Sequence, residues 1–200
     1  CFLPLRRPAT AASLWEGGVF FVDSRSVEQT QRLGEVLGRE LRGGDVVGVS
    51  GELGACKTCF AQGIARGLGV DAAVPITSPT FTLANRYRGR LILHHLDVYR
   101  LEGEADAADL DLDDLLETGV TVIEWGDRVA GLLPADRFTV TLRYPDPTAA
   151  DPDPDPDRRL IELDGPVGER GLDRLLAPFA PSSLDGVASS NRAAGGGRAP

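Results

Sequence analysis

Eight consecutive residues, Gly51-Glu52-Leu53-Gly54-Ala55-Cys56-Lys57-Thr58, have the types and spacing that bind phosphate. In the pattern G-x-x-x-x-G-K-[ST], glycines let backbone N–H groups wrap an anion, and the following helix adds the positive end of its dipole. The lysine reaches the β- and γ-phosphates, and the Ser or Thr hydroxyl meets Mg²⁺. Gly51, Lys57 and Thr58 stand at their places, so Lys57 is the candidate for phosphate and Thr58 for metal. Cys56 stands where the second glycine belongs. A side chain there adds CH₂–SH at a crowded point, and a positive φ would add strain on the order of 1–2 kcal/mol. Cys56 and Cys59 also make a C-x-x-C pair. That spacing suits redox chemistry. Zinc would need a second such pair or added His ligands, and the sequence supplies neither at metal spacing.

Three other stretches carry groups of the same kind. Thr77-Ser78-Pro79-Thr80-Phe81 is a hydroxyl-rich loop. It sits where nucleotide hydrolases place a switch segment, and it reads equally as a capped turn. Asp97 closes the apolar run LILHHL, and Glu124, followed by Trp125, closes VTVI. A carboxylate at a strand end is placed to meet Mg²⁺ or its water in a phosphate-loop protein. Each acid alone reads as a surface group; with Thr58 the two frame one metal and one attacking water. His94 and His95 are neighbours on a strand and point to opposite sides, which argues against a joint metal site.

These groups need elements to hold them. VFFVDS (19–24) reads as a strand. Ser26 and Gln29 form a capping box for a helix over 27–41, with Val27, Leu33, Val36, Leu37 and Leu41 on one stripe and Gly43-Gly44 ending it. A buried strand over 45–50 runs into the glycine-rich loop, and a helix over 59–68 closes at Gly69. That is the strand, loop and helix the motif requires. TFTL (80–83), 91–96, 120–125 and 137–144 read as strands, 158–165 pairs with the last of them, and 102–117 forms acidic surface turns of helix. The expected fold is α/β, a single phosphate-loop NTPase-like domain with a mixed central sheet flanked by helices. It spans 19–178, with an irregular extension over 1–18, an Asp/Pro-rich loop insertion over 144–157 and a disordered tail over 179–200.

The chain has 200 residues, 42% of them hydrophobic, and a net charge of −9. The acidic balance lacks the broad basic field that nucleic-acid binding uses, so any contact with RNA is local or made through a partner. No apolar run reaches the length of a membrane span. The opening CFLPLRRPAT is too short and too broken by Pro and Arg to read as a signal peptide. Three cysteines make no disulfide framework, and the expected compartment is the reducing cytoplasm.

GELGA-x-KT, SPTFTL, HLDVYRL and IEWGD, in that order, resemble the TsaE (YjeE) family, small bacterial ATPases of tRNA threonylcarbamoyladenosine (t6A) synthesis. The resemblance covers about 19–143 and, more weakly, 158–178. It implies binding and hydrolysis of ATP with Mg²⁺, ADP as product, and association with a TsaB–TsaD pair that itself transfers the threonylcarbamoyl group. It implies that Gly51 to Thr58 contact the nucleotide, Thr58 and Glu124 the metal, that Thr80, Asp97 and Glu124 serve hydrolysis, and that Trp125 lies beside the site. The loop departs from the family's GAGKT at Cys56, and Cys59 replaces a usual Thr or Ser. Three alternatives therefore stand beside an ATPase: a member that only docks on partners because Cys56 blocks the nucleotide, a small-molecule phosphate-loop kinase, and a C-x-x-C redox or metal module.

Overall fold

A computed structural model describes residues 15–16, 19–107, 118–147 and 154–180. Eight strands form one mixed sheet: β1 (Trp15–Glu16), β2 (Val19–Ser24), β3 (Val46–Gly51), β4 (Ala84–Arg88), β5 (Ile92–Asp97), β6 (Val120–Glu124), β7 (Phe138–Arg143) and β8 (Arg159–Asp164). Their order is β1-β2-β8-β7-β3-β6-β5-β4. β7, β3, β6 and β5 run parallel at the centre. Antiparallel pairing adds β8, β2 and β1 on one side and β4 on the other. β1 falls in a segment expected to be irregular. Residues 1–14, 17–18, 108–117, 148–153 and 181–200, which hold most of the expected N-terminal extension, acidic turns and tail and the middle of the expected Asp/Pro loop, lie outside the described residues.

Helices α1 (Val27–Glu40) and α2 (Lys57–Gly67) cover one sheet face. α1 starts as its sequence predicts: Ser26 Oγ accepts from Gln29 N at 3.1 Å. The return half of the box differs, because Gln29 Oε1 accepts from Arg25 N at 2.8 Å, one residue before the cap. The end differs too. Gly43-Gly44 lie beyond it, and Arg90 Nη2 instead collects the carbonyls of Gly38, Arg39 and Leu41 at 2.7–2.8 Å. One guanidinium from the β4–β5 turn thus satisfies acceptors that a helix end leaves free.

The buried stripe of α1 is rotated from the expected one and includes Thr30, Gly34 and Gly38. The reason is glycine. Gly34 and Gly38 face Phe60 O and Ile64 O of α2, and Gly63 and Gly67 face Gln31 O and Glu35 O of α1. A Cβ at any of the four would fall on a backbone atom of the other helix, so the helices meet backbone to backbone. This contact fixes α2, and α2 carries the phosphate loop.

The other sheet face is covered by α3 (Glu104–Ala107) and a 3₁₀ segment, Gly126–Leu132, packed through Leu96, Ile123, Val129 and Leu133. α4 (Leu172–Leu176) returns to the α1 side through Leu172 and Leu176. The expected strand over TFTL is a turn instead: Thr82 N and Leu83 N both donate to Pro79 O, and β4 begins at Ala84. Among the described residues, no helix is long and apolar enough to cross a membrane.

Candidate functional site

β3, β5 and β6 are parallel and end side by side. Asp97 is the register partner of Glu124, which is itself the partner of Val49, two residues before the loop. Carboxyl ends of parallel strands form the crevice where open α/β sheets bind ligands. The hollow here is about 420 Å³ and is lined by Leu53 to Cys59, Ser78, Thr80, Asp97, Tyr99, Glu124 and Trp125.

The loop has a demanding backbone. Gly51, Gly54 and Cys56 have φ of +143°, +79° and +70°. At Gly51 a Cβ would fall on Leu142 O. Cys56 caps α2 from the left-handed region without a capping hydrogen bond from its side chain. The strain expected of a cysteine at this position is therefore present in its φ. α2 begins at Lys57, two residues before the expected start, so Lys57 and Thr58 sit in its first turn.

Lys57 is 5% exposed, and its Nζ donates to Gly51 O at 2.8 Å and Glu52 O at 2.7 Å. It also lies 3.7 Å from the Trp125 ring centroid. Burial pushes its pKa down, and the charges of Glu124, Asp97 and Asp127 oppose that shift. Trp125 holds a positive φ of its own, +62°, and stacks at 5.0 Å on Tyr99. Trp125 is half-buried, packs against the core on the 3₁₀ side and also forms part of the hollow's wall.

The two carboxylates are buried, each 2% exposed. Thr58 Oγ1 donates to Glu124 Oε2 at 3.0 Å. Ser78 Oγ and Thr80 Oγ1 both donate to Asp97 Oδ2, the latter at 2.7 Å, and Tyr99 N donates to Oδ1 at 2.9 Å. The hydroxyl-rich loop is thus tied to a strand-end acid 17 residues away. Two buried acids face one buried ammonium, with hard oxygen donors between them. That excess of negative charge and donor type suit Mg²⁺, which binds through one or two carboxylates together with substrate phosphates. Thr58 and Glu124 are the residues that could hold it.

Of the residues singled out from sequence, Leu53 to Thr58, Thr80, Asp97, Glu124 and Trp125 meet around this hollow. Gly51 and Glu52 line a second hollow, of about 560 Å³, on the opposite sheet face beside Thr139, Thr141 and Arg143. Their carbonyls still serve the site by holding Lys57.

Sequence reasoning missed His95. It is fully buried, and Nε2 lies 2.9 Å from Glu124 Oε1. A carboxylate only accepts, so Nε2 carries the hydrogen. Nδ1 has no hydrogen-bond partner among the described atoms. The signal was available: His95 is two residues before Asp97 on one strand, hence on the same face. His94 turns away, with Nε2 3.3 Å from Thr118 Oγ1, and burial pushes its pKa down. The two histidines thus meet different residues, Thr118 and Glu124.

Cys56 and Cys59 are free thiols, both half-buried. The Cys59 thiol is pushed up to about 11, first by burial, then by the charge of Cys56 and a hydrogen bond with it. Among the described residues, no three His, Cys, Asp or Glu side chains gather as a metal site.

The family described as "Threonylcarbamoyl adenosine biosynthesis protein TsaE" matches residues 24–150. A TsaE protein of Treponema pallidum is 51% identical over 121 residues, covering 60% of this chain and 88% of that protein. One from Mycobacterium tuberculosis is 44% identical over 149 residues, covering 68% and 85%. The crystal structure of Bacillus subtilis YdiB superimposes with a TM-score of 0.58 at 28% identity, over 78% of this chain and 90% of that one. A match across more than half the chain, carried by a phosphate loop and two strand-end acids in one hollow, makes this chain a member of the TsaE family.

Proposed function

We propose that this protein is a Mg²⁺-dependent ATPase that serves tRNA threonylcarbamoyladenosine modification in the cytoplasm, alongside a TsaB–TsaD-type complex. The observation that carries the reading is the convergence of Lys57, Thr58 and Glu124 at the N-terminus of α2. The loop amides and Lys57 bind the phosphates, with Lys57 leaving the Gly51 and Glu52 carbonyls for phosphate oxygen. Thr58 and Glu124 hold Mg²⁺, which when bound neutralises charge on the phosphates. Asp97, fixed by Ser78 and Thr80, orients the attacking water beside Glu124. ADP and phosphate are the products. The net charge of −9 suits docking on basic partner surfaces, and such docking weakens with salt.

The second reading is a member that docks without nucleotide, and the left-handed Cys56 favours it. Calorimetry of Mg-ATP and Mg-ADP on this chain and on Cys56→Gly separates the two. The expected result is binding by both, tighter for the glycine variant because CH₂–SH no longer crowds the anion. The strain of the positive φ is carried by the free fold as well, and so weighs on stability rather than on affinity. Binding by the glycine variant alone makes the natural chain a docking protein. A phosphorylated small-molecule product instead of free phosphate would make it a kinase.

His95 is a positioning residue in this scheme, because its N–H fixes one oxygen of Glu124. His95→Leu lowers kcat about 10–100-fold with little change in KM, the range for removing a partner of a metal-linked group. His95→Gln, which keeps an N–H donor near the Nε2 position, recovers most of it. Equal kcat in both variants would show that His95 only fills space.

A further inference from the structure

The phosphate loop and the helix that follows it place two thiols, three residues apart, in one hollow. Cys56 is the N-cap of α2, and Cys59 lies three residues on, in the first turn. Both are half-buried, and both line the 420 Å³ hollow. Cys56 packs against the main core, but neither thiol is enclosed as Phe60 and Ile64 are.

We propose that Cys56 and Cys59 are a reversible thiol-modification site: they close to a disulfide, and the closed form shuts the hollow to phosphate. The second half rests on the nucleotide reading above; the bond itself does not.

The geometry supports both halves. Cys56 is the N-cap of α2 and its side chain makes no capping hydrogen bond, so its sulfur is free to meet Cys59, the third helical residue, beside the free amides of the first turn. A sulfur tied to it is held over the amides of Lys57, Thr58 and Cys59, in the space an anion takes at a helix N-terminus. Closure also moves the loop. Positions three apart on a helix have Cβ atoms about 5–6 Å apart and a disulfide needs about 3.5–4.5 Å, so the ends must draw in by roughly 1–2 Å. Lys57 and Thr58 lie between those ends and move with them.

The oxidant is a low-molecular-weight disulfide such as oxidised glutathione. Cys56 Sγ, its proton lost to water, attacks one sulfur of that disulfide. The small S–S bond breaks, and one glutathione leaves, taking a proton to become a thiol. Cys59 Sγ then loses its proton and attacks Cys56 Sγ. The Cys56–Cys59 bond forms, and the second glutathione leaves as a thiol. The protein has lost two hydrogens, and the small disulfide has gained them.

The test uses the full chain, reduced and then treated with oxidised glutathione, and reads intact mass, peptide maps and ADP affinity by calorimetry. The expected result is a loss of two hydrogens mapped to Cys56–Cys59 and not to Cys1, with affinity at least tenfold weaker and restored by excess reduced thiol. Cys59→Ser is expected to stop at a mixed disulfide, seen as one retained glutathione on Cys56. A natural chain that keeps glutathione adducts or stays reduced overturns the proposal. So does a closed form that binds ADP as tightly as the reduced one. If the reduced chain binds no ADP, the nucleotide reading fails and the claim on phosphate fails with it, while mass alone decides the thiol pair.

Discussion

Glu124→Gln lowers ATP turnover by about 10²–10⁴-fold, the range for loss of a positioned acid–base group, while nucleotide affinity stays within a few-fold. Glu124 is 2% exposed, and its two oxygens accept from Thr58 and His95. Glutamine has the same shape. Its carbonyl can accept from His95 and its amide can donate to the Thr58 hydroxyl, so both contacts have a neutral replacement and the fold is kept. What is lost is the charge that faces metal and water. Lys57→Ala is the counterpart. A hydrogen bond to a charged group contributes about 1.5–3 kcal/mol, so affinity falls about 10–100-fold. The variant also removes a buried ammonium that faces Glu124 and Asp97, so its thermal melt is run alongside the calorimetry. Equal loss of binding in both variants would sink the division of roles.

The second large effect is on stability. Gly63→Ala sets a methyl group on Gln31 O, a backbone atom of α1 that cannot rotate away. Alanine improves helix propensity by up to about 1 kcal/mol over glycine. Overpacking in a tight interior costs about 1–3 kcal/mol, and here the two helices must part along their whole contact. The packing effect wins, and Tm falls by roughly 2–10 °C for a chain of this size. Gly43→Ala is the control. A Cβ there meets nothing within 4 Å, so its Tm should stay within about a degree or rise slightly. A Gly63→Ala protein that melts with the parent would mean that the helices are not in backbone contact.

These effects differ in how far the sequence announced them. The loop and the acids Asp97 and Glu124 were legible because each is a local pattern: an apolar strand with its chemical group at the end, or a glycine-rich turn between strand and helix. The Ser26 cap was legible for the same reason. The strand assigned to TFTL failed because Pro79 O closes a turn that β propensity does not register. The rotated face of α1 was also out of reach. The glycines at 34, 38, 63 and 67 look like breaks in two separate helices, and they make sense only once the helices cross.

By itself, then, the sequence determined the phosphate loop, the order of its supporting strands and helices, and which side chains end those strands. Period and propensity act over a few residues, and so do the groups they place. The tertiary structure decided that β3 lies between β6 and β7, that Asp97 sits level with Glu124, and that Thr58, His95 and Ser78 become the acids' partners. Those choices are made by burial and by the pairing of polar groups across 17 to 66 residues of chain, and no local pattern carries that information.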